Sequence, residues 1–170
     1  MPDSGYERNS RLWKLSSLDS FIHSSRATTS NPRNVTPVDV SALGTLLFDA
    51  FRGEPDDIGQ TEMQYASKAT AIVDGRYGEW IQAASWTIEF AGGLRSACLV
   101  CDYEPYGCPV IAVVATMPSC KRLGDGAALV DAALKSLAAL GHRECGAMIT
   151  VGNAPSERLF GSRGFLPVAV

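Results

Sequence analysis

Lys121 and Arg122 stand just before Gly124-Asp125-Gly126-Ala127, between an apolar run ended by Pro118 and a helical pattern. Glycines let a backbone approach a ligand closely and take dihedrals closed to other residues. A helix start presents N–H groups without intrahelical partners and the positive end of the helix dipole, and both favour a phosphate. Lys121 and Arg122 add positive charge. By itself the string fits two readings, a phosphate cradle or a plain strand-to-helix turn. Two nucleotide-binding patterns fail on it. A dinucleotide fingerprint needs Gly or Ala three places after Gly126, where Leu129 stands. A Walker A loop needs a Gly-Lys-Ser/Thr ending, which is absent.

The cysteines are the other chemistry-bearing group. There are five, Cys98, Cys101, Cys108, Cys120 and Cys145, and the odd count without a secretory signal suggests reduced thiols. Cys98-Leu-Val-Cys101 could serve zinc or redox chemistry, with Cys108 and Cys120 as further ligands. It could equally be small apolar residues buried on a strand. The flanking run over 94–100 reads as strand, and positions i and i+3 of a strand face opposite sides, whereas a chelating pair sits on a tight turn.

The elements that must position these residues follow from periodicity. Val35-Thr36-Pro37-Val38-Asp39-Val40 is a helix start: Thr36 as cap, Pro37 in the first turn, Asp39 completing a capping box, and Val35 stapling onto Val40. Val40, Leu43, Leu47, Ala50 and Phe51 continue at helical spacing. A break at 52–57 precedes a second helix over 62–73, and Gly75 and Gly78 mark a turn. Residues 84–90 and 94–101 form a hairpin about Ala91-Gly92-Gly93. Residues 109–117 are nearly all apolar, as in a buried central strand. A helix follows over 124–140, closed by Gly141. Then come a strand over 145–151, a short helix capped by Asn153 through Phe160, and a last strand over 165–170. A first strand near Arg33 completes the order. Residues 1–30 are polar and Ser-rich with loosely helical spacing at Leu12, Trp13, Leu15, Leu18, Phe21 and Ile22. They read as an extension, leaving one α/β domain over 31–170.

Two blocks in this frame resemble the GNAT superfamily of acyl-CoA-dependent N-acyltransferases. Lys121-x-x-Gly124-x-Gly126-Ala127, three residues after Pro118, looks like the pyrophosphate loop of that family, whose usual first residue is Arg or Gln. Asn153-x-x-Ser156-x-x-Leu159-Phe160-x-x-x-Gly164-Phe165 resembles the family's Asn-x-x-Ala/Ser-x-x-Leu-Tyr-x-x-x-Gly-Phe. The separation, one helix plus one strand, is also the family's. The resemblance is specific over 109–170, looser over 33–108, and does not reach 1–30.

The resemblance implies a mixed, mostly antiparallel central sheet flanked by helices and splayed between its fourth and fifth strands. Acetyl-CoA would lie in that gap as co-substrate. Main-chain groups near Thr116 and Met117 would pair with the pantetheine arm. Lys121 and the amides of Arg122, Leu123, Gly124, Asp125, Gly126 and Ala127 would hold the pyrophosphate. Asn153 would lie near the thiol end, with Ser156 and Phe160 beside it. The acceptor, a small-molecule amine or a protein amino group, would attack the thioester directly. The protein would then supply placement, an oxyanion-stabilising amide and proton handling.

Two departures bear on that chemistry. Phe160 stands where the family often has a tyrosine that protonates the departing thiolate, so that role is empty or falls to water, Tyr103 or Tyr106. Asp125 puts a carboxylate where an apolar residue is usual; it suits a helix start and is expected to point outward, away from the pyrophosphate. Candidate bases are Glu89, Asp102 and Glu104, on or just after strands. His23 lies in the extension and His142 follows a helix end, which makes both less suited. Glu54, Asp56 and Asp57 could rim an acceptor pocket and attract a cationic amine, or be a solvated loop.

Composition bounds the alternatives. At 170 residues with 46% apolar and 19% charged residues, the chain is of single-domain size and globular in character. A net charge of -3 offers no basic stripe for nucleic acid. No apolar run nears the roughly 18–20 residues that span a bilayer. The N-terminal stretch lacks the apolar core of a secretory signal and carries Asp3, Glu7 and Asp19, so a cytoplasmic protein, monomer or homodimer, without a metal, is expected. The remaining readings are an acyl-CoA-binding module without turnover and a small zinc protein using Cys98 and Cys101.

Overall fold

The computed structural model describes residues 9–24 and 30–169. One eight-stranded sheet runs through it: β1 Ser10–Leu15, β2 Arg33–Asn34, β3 Glu79–Trp80, β4 Trp86–Phe90, β5 Gly93–Tyr103, β6 Cys108–Thr116, β7 Cys145–Thr150 and β8 Leu166–Pro167. The spatial order is β2-β4-β5-β6-β7-β1-β8, with β3 also on β5. Among the described residues the paired strands run antiparallel except β6 with β7, which run parallel. Helices α1 Val40–Phe51 and α2 Glu62–Val73 cover one face, and α3 Asp125–Ala139 and α4 Ala154–Gly161 the other. No helix among the described residues is long and apolar enough to cross a membrane.

The strands' period of two builds both cores. Along β5, Cys98 and Val100 join the α3 side with Leu129, Leu134 and Phe165, while Ala97, Leu99 and Cys101 join the α1–α2 side with Leu43, Leu47 and Tyr65. On β6 the alternation slips. Ile111 belongs to the α3 side, yet Val113, two places on, belongs to the other. The register shifts at the same point, where Leu99 faces Val113 and Val100 faces Ile111. Ala112 is therefore the extra residue of a β-bulge.

Helices α1 and α2 begin where their caps require. Thr61 caps α2 with a full capping box to Gln64. At the start of α1, a single 3₁₀ turn, Pro37–Asp39, intervenes before the helix. Gly44 allows the two helices to touch: a Cβ there would stand 2.8 Å from Ala66 Cα. The Thr36–Asp39 box also anchors the strand before it, because Arg33 donates to both Asp39 oxygens at 2.8 Å. The Arg33 guanidinium, helped by the Thr36 amide, holds the Asp39 carboxyl down from 3.8 to about 2. A depressed folded pKa favours the ionised form, so its stabilisation is complete above the unfolded value and fades as pH falls toward about 2. Urea denaturation across pH 5 to 2 is expected to show this acid loss, and Asp39→Asn to be less stable at neutral pH with a flatter acid limb.

Residues 10–15, read as part of a polar extension with loosely helical spacing, form a strand of the sheet. Ser10–Leu15 pairs along its whole length with β7, Ser10 opposite Thr150 and Leu15 opposite Cys145, and also holds β8. Leu15 and Leu18 are buried in the α3-side core. The helical spacing misled because Leu12 and Trp13 are only half-buried, so the strand lacks a clean alternation. Residues 1–8 and 25–29, also assigned to the extension, lie outside the described residues, as does Val170 of the last expected strand.

Candidate active site

Strands β6 and β7 pair only at Val110–Gly146 and Ile111–Ala147. Beyond that point they part, at the Ala112 bulge. A cavity of about 280 Å³ fills the opening, walled by Val113 and Val114 of β6, by Ile149 and Thr150 of β7, and by Asn153 and Phe160. Met117 donates its N–H to Arg95 O at 2.8 Å, which marks a hydrogen-bonded pair of β5 and β6. Strand alternation then turns the main-chain groups of Thr116 and Val114 away from β5, into the opening. Met117 itself departs from expectation, because its carbonyl accepts from Cys120 N–H and its N–H is taken by Arg95.

The opening leads to the start of α3. After Pro118–Cys120, a 3₁₀ turn, the chain passes Lys121 to Gly124 on the surface. Arg122 has φ 67 and Gly124 φ 85, both left-handed. Gly124 carries that value at little cost, whereas Arg122 is a non-glycine residue held in a sparsely populated region. Ala128 N–H is bonded to Gly124 O, so the amides of Asp125, Gly126 and Ala127 precede the helix's own ladder. A Cβ on Gly126 would meet Val114 Cγ1 at 3.5 Å and Thr116 Oγ1 at 3.8 Å, which sets this glycine against the end of β6.

Asp125 does not point outward. Its side chain is 1% exposed and takes a two-pronged contact from Arg95, Nε to Oδ2 at 2.6 Å and Nη2 to Oδ1 at 2.8 Å. Ser30 Oγ donates to Oδ1 at 3.1 Å. Buried carboxylates need such partners, and here Arg95 of β5 supplies the charge. The carboxylate is thus turned from the exposed 121–124 loop and balanced.

The acidic turn lies over this groove. Glu54 forms an ion pair with Lys121 at 2.5 Å. Asp56 lines the cavity and accepts from Thr150 Oγ1 at 2.5 Å and Asn153 Nδ2 at 3.0 Å. Asp57 binds the Gly53 and Gly59 amides, which hold its carboxyl below the usual range. The turn therefore contacts two residues expected to hold the cofactor, Lys121 and Asn153, while Asp56 also lines the opening. Asn153 also caps α4, accepting from Ser156 N at 3.3 Å. Phe160 is buried edge-on to Phe165, ring centroids 5.1 Å apart.

The three candidate bases are not brought together. Glu89 is tied to Arg33 at the β4 edge. Asp102 is exposed on β5 opposite Glu79, and Glu104 is exposed in a 3₁₀ turn. None of them lines the opening. Tyr103 and Tyr106 instead line a second cavity of about 240 Å³, which shares Lys68, Ile111, Ala112 and Met148 with the first. Lys68, Tyr65 and Phe51 border the site as well. Helical spacing in 62–73 could have marked Tyr65 and Lys68 as sharing a face, three residues apart.

The cysteines are dispersed. All five are free and buried. Cys98 faces the α3 side and Cys101 the α1–α2 side, so no small movement makes them chelate one ion. Burial pushes the Cys98 thiol up to about 12 and the Cys101 thiol to about 11, away from the thiolate a metal needs. Among the described residues no group of three or more His, Cys, Asp or Glu could hold a metal ion.

A mixed sheet parted between parallel neighbours, with a glycine turn leading to a helix start beside the gap, is the fold of the GNAT N-acetyltransferases. A GCN5-related N-acetyltransferase from Sphaerobacter thermophilus matches with a TM-score of 0.69 at 17% identity, covering 94% of this chain and 48% of its own. This chain thus spans about half the length of that protein. The ribosomal-protein-S18-alanine N-acetyltransferase from Escherichia coli matches with a TM-score of 0.63 at 16% identity, covering 83% of this chain and 80% of that one. An aminoglycoside N-acetyltransferase solved in complex with CoA matches at 0.62 and 16%, covering 85% and 93%. No protein-family model matches the chain, and no curated protein does.

Proposed function

We propose that this chain is a GNAT-superfamily N-acetyltransferase that moves an acetyl group from acetyl-CoA to a primary amine. The observation that carries the reading is the opening between β6 and β7 running to the amide-rich start of α3. The pantetheine arm, an extended chain of amides, fits beside the outward main-chain groups of Val114 and Thr116. The pyrophosphate fits the exposed turn from Lys121 through Gly126 and Ala127, where helix-start amides follow two basic residues in the chain, Arg122 and the Glu54-paired Lys121.

In this reading the amine nitrogen attacks the thioester carbonyl without a covalent enzyme intermediate, and the protein acts by placement and by polarising the carbonyl. Phe160 packs and moves no proton. With Glu89, Asp102 and Glu104 away from the opening, a tyrosine of the neighbouring cavity or water carries the protons. Those same absences favour a second reading, a module that binds acyl-CoA without turnover. The test is release of free CoA thiol from acetyl-CoA on addition of an amine panel. Amine-dependent release supports transfer; saturable binding of acetyl-CoA with no release supports the second reading.

The acidic turn makes a smaller prediction. An exposed pair such as Glu54–Lys121 contributes about 0–1 kcal/mol to stability, so Glu54→Gln leaves unfolding nearly unchanged. It releases Lys121 for the phosphates, and CoA affinity is expected to rise about threefold, as removal of one nearby anion allows. Calorimetric titration with CoA measures it, and lower affinity would mean that the pair helps to build the site.

A further inference from the structure

The second cavity has a chemistry of its own. It is walled by Tyr77, Tyr103 and Tyr106, with Ile72, Val110 and Met148 as its apolar lining. Its volume of about 240 Å³ suits a one- or two-ring molecule. Tyr103 and Tyr106 are packed edge to face, centroids 4.8 Å apart at 62°, which is a favoured arrangement for rigid rings. Tyr77 is 47% exposed, so its ring is available at the surface. The cavity meets the β6–β7 opening at Ile111, Ala112 and Met148. A molecule lodged there would present its free end where the two strands part. Among its described lining residues Lys68, at the end shared with the opening, is the one basic residue and none is acidic. A carboxylate-lined surface, which would select a polycation by charge, is therefore absent from the described wall.

From this we infer that the acceptor is an arylalkylamine or arylamine, its ring held in the cavity of Tyr77, Tyr103 and Tyr106 and its amino group directed to the β6–β7 opening. The inference rests on the transferase reading above. The reaction is balanced with two substrates. The amine nitrogen forms a C–N bond to the acetyl carbon, the C–S bond breaks, and the proton lost by nitrogen ends on the CoA thiol. The tyrosines supply ring contact and shape, which distinguish a flat apolar body from a flexible polyamine or a peptide backbone.

The test compares phenethylamine, putrescine and an alanine-terminated peptide in the thiol-release assay with the full chain. In parallel, phenethylamine is titrated calorimetrically into CoA-saturated protein. The expected result is a kcat/KM for phenethylamine at least about tenfold above the others. Tyr106→Ala is expected to raise KM for phenethylamine about tenfold, the effect of losing one aromatic face. Tyr106→Phe keeps the ring, so its KM for phenethylamine is expected to stay within about twofold of the parent, and a fall confined to kcat would report use of the hydroxyl rather than of the ring. A higher kcat/KM for putrescine or the peptide, unmoved by Tyr106→Ala, would overturn the substrate class while leaving the transferase reading intact. No release with any amine would defeat the transferase reading. Phenethylamine binding to the CoA-saturated protein that ignores Tyr106→Ala would overturn the assignment of the cavity even then.

Discussion

Arg95→Ala is expected to lower the unfolding free energy by about 3–5 kcal/mol, because it leaves the Asp125 carboxylate buried without its cation. That is a large share of the roughly 5–15 kcal/mol typical of a whole domain. Ser30 would remain as a single donor at 3.1 Å, too little to replace two charge-assisted bonds. The loss should appear as a lower urea midpoint with an unchanged slope. Arg95→Met with Asp125→Leu should recover most of it, since apolar residues of similar volume remove both the charge and its penalty. A single variant within about 1 kcal/mol of the parent would mean that Asp125 can turn to water, and that the start of α3 is not pinned to β5.

Gly126→Asp is expected to abolish tight CoA binding while leaving the fold in place. An acidic residue suits a helix's first turn, and replacing a helical glycine removes unfolded-chain entropy. The new Cβ has only ordinary contacts, at 3.5 Å and 3.8 Å. Stability should therefore stay within about 1 kcal/mol of the parent. The added carboxylate would face the diphosphate at short range, and a loss of about a hundredfold, near 2.7 kcal/mol, is expected in CoA affinity. Gly126→Ala separates charge from bulk: it adds one methyl group and should cost much less. Unchanged affinity in the Asp variant would remove the pyrophosphate from this turn.

Legibility from sequence tracked how local each determinant is. Helix α2 runs over Glu62–Val73, the bounds expected for the second helix. The Asn153 cap, the buried β6 and the glycine turn before α3 were equally local and equally readable. Long-range features were hidden. Arg95 and Asp125 are thirty residues apart, and neither carries a local mark of the other. The Ala112 bulge sits in a run so uniformly apolar that a one-residue slip leaves no trace in the pattern. Ser10–Leu15 joined the sheet although its apolar residues do not alternate, because its burial comes from β7, β8 and the α4 side rather than from its own periodicity. The candidate bases lie off the opening for a similar reason. Glu89 sits on a strand, but its distance from the opening depends on the sheet's spatial order.

The most direct test of the account is the thermal and chemical stability of the full chain on titration with acetyl-CoA. If the β6–β7 opening and the turn at 121–127 form the cofactor site, unfolding should be opposed saturably, by about 2.7 kcal/mol at a hundred times the dissociation constant. CoA should act alike, and Gly126→Asp should cancel both effects. An unfolding free energy that does not move at millimolar acetyl-CoA or CoA would contradict the account at its centre.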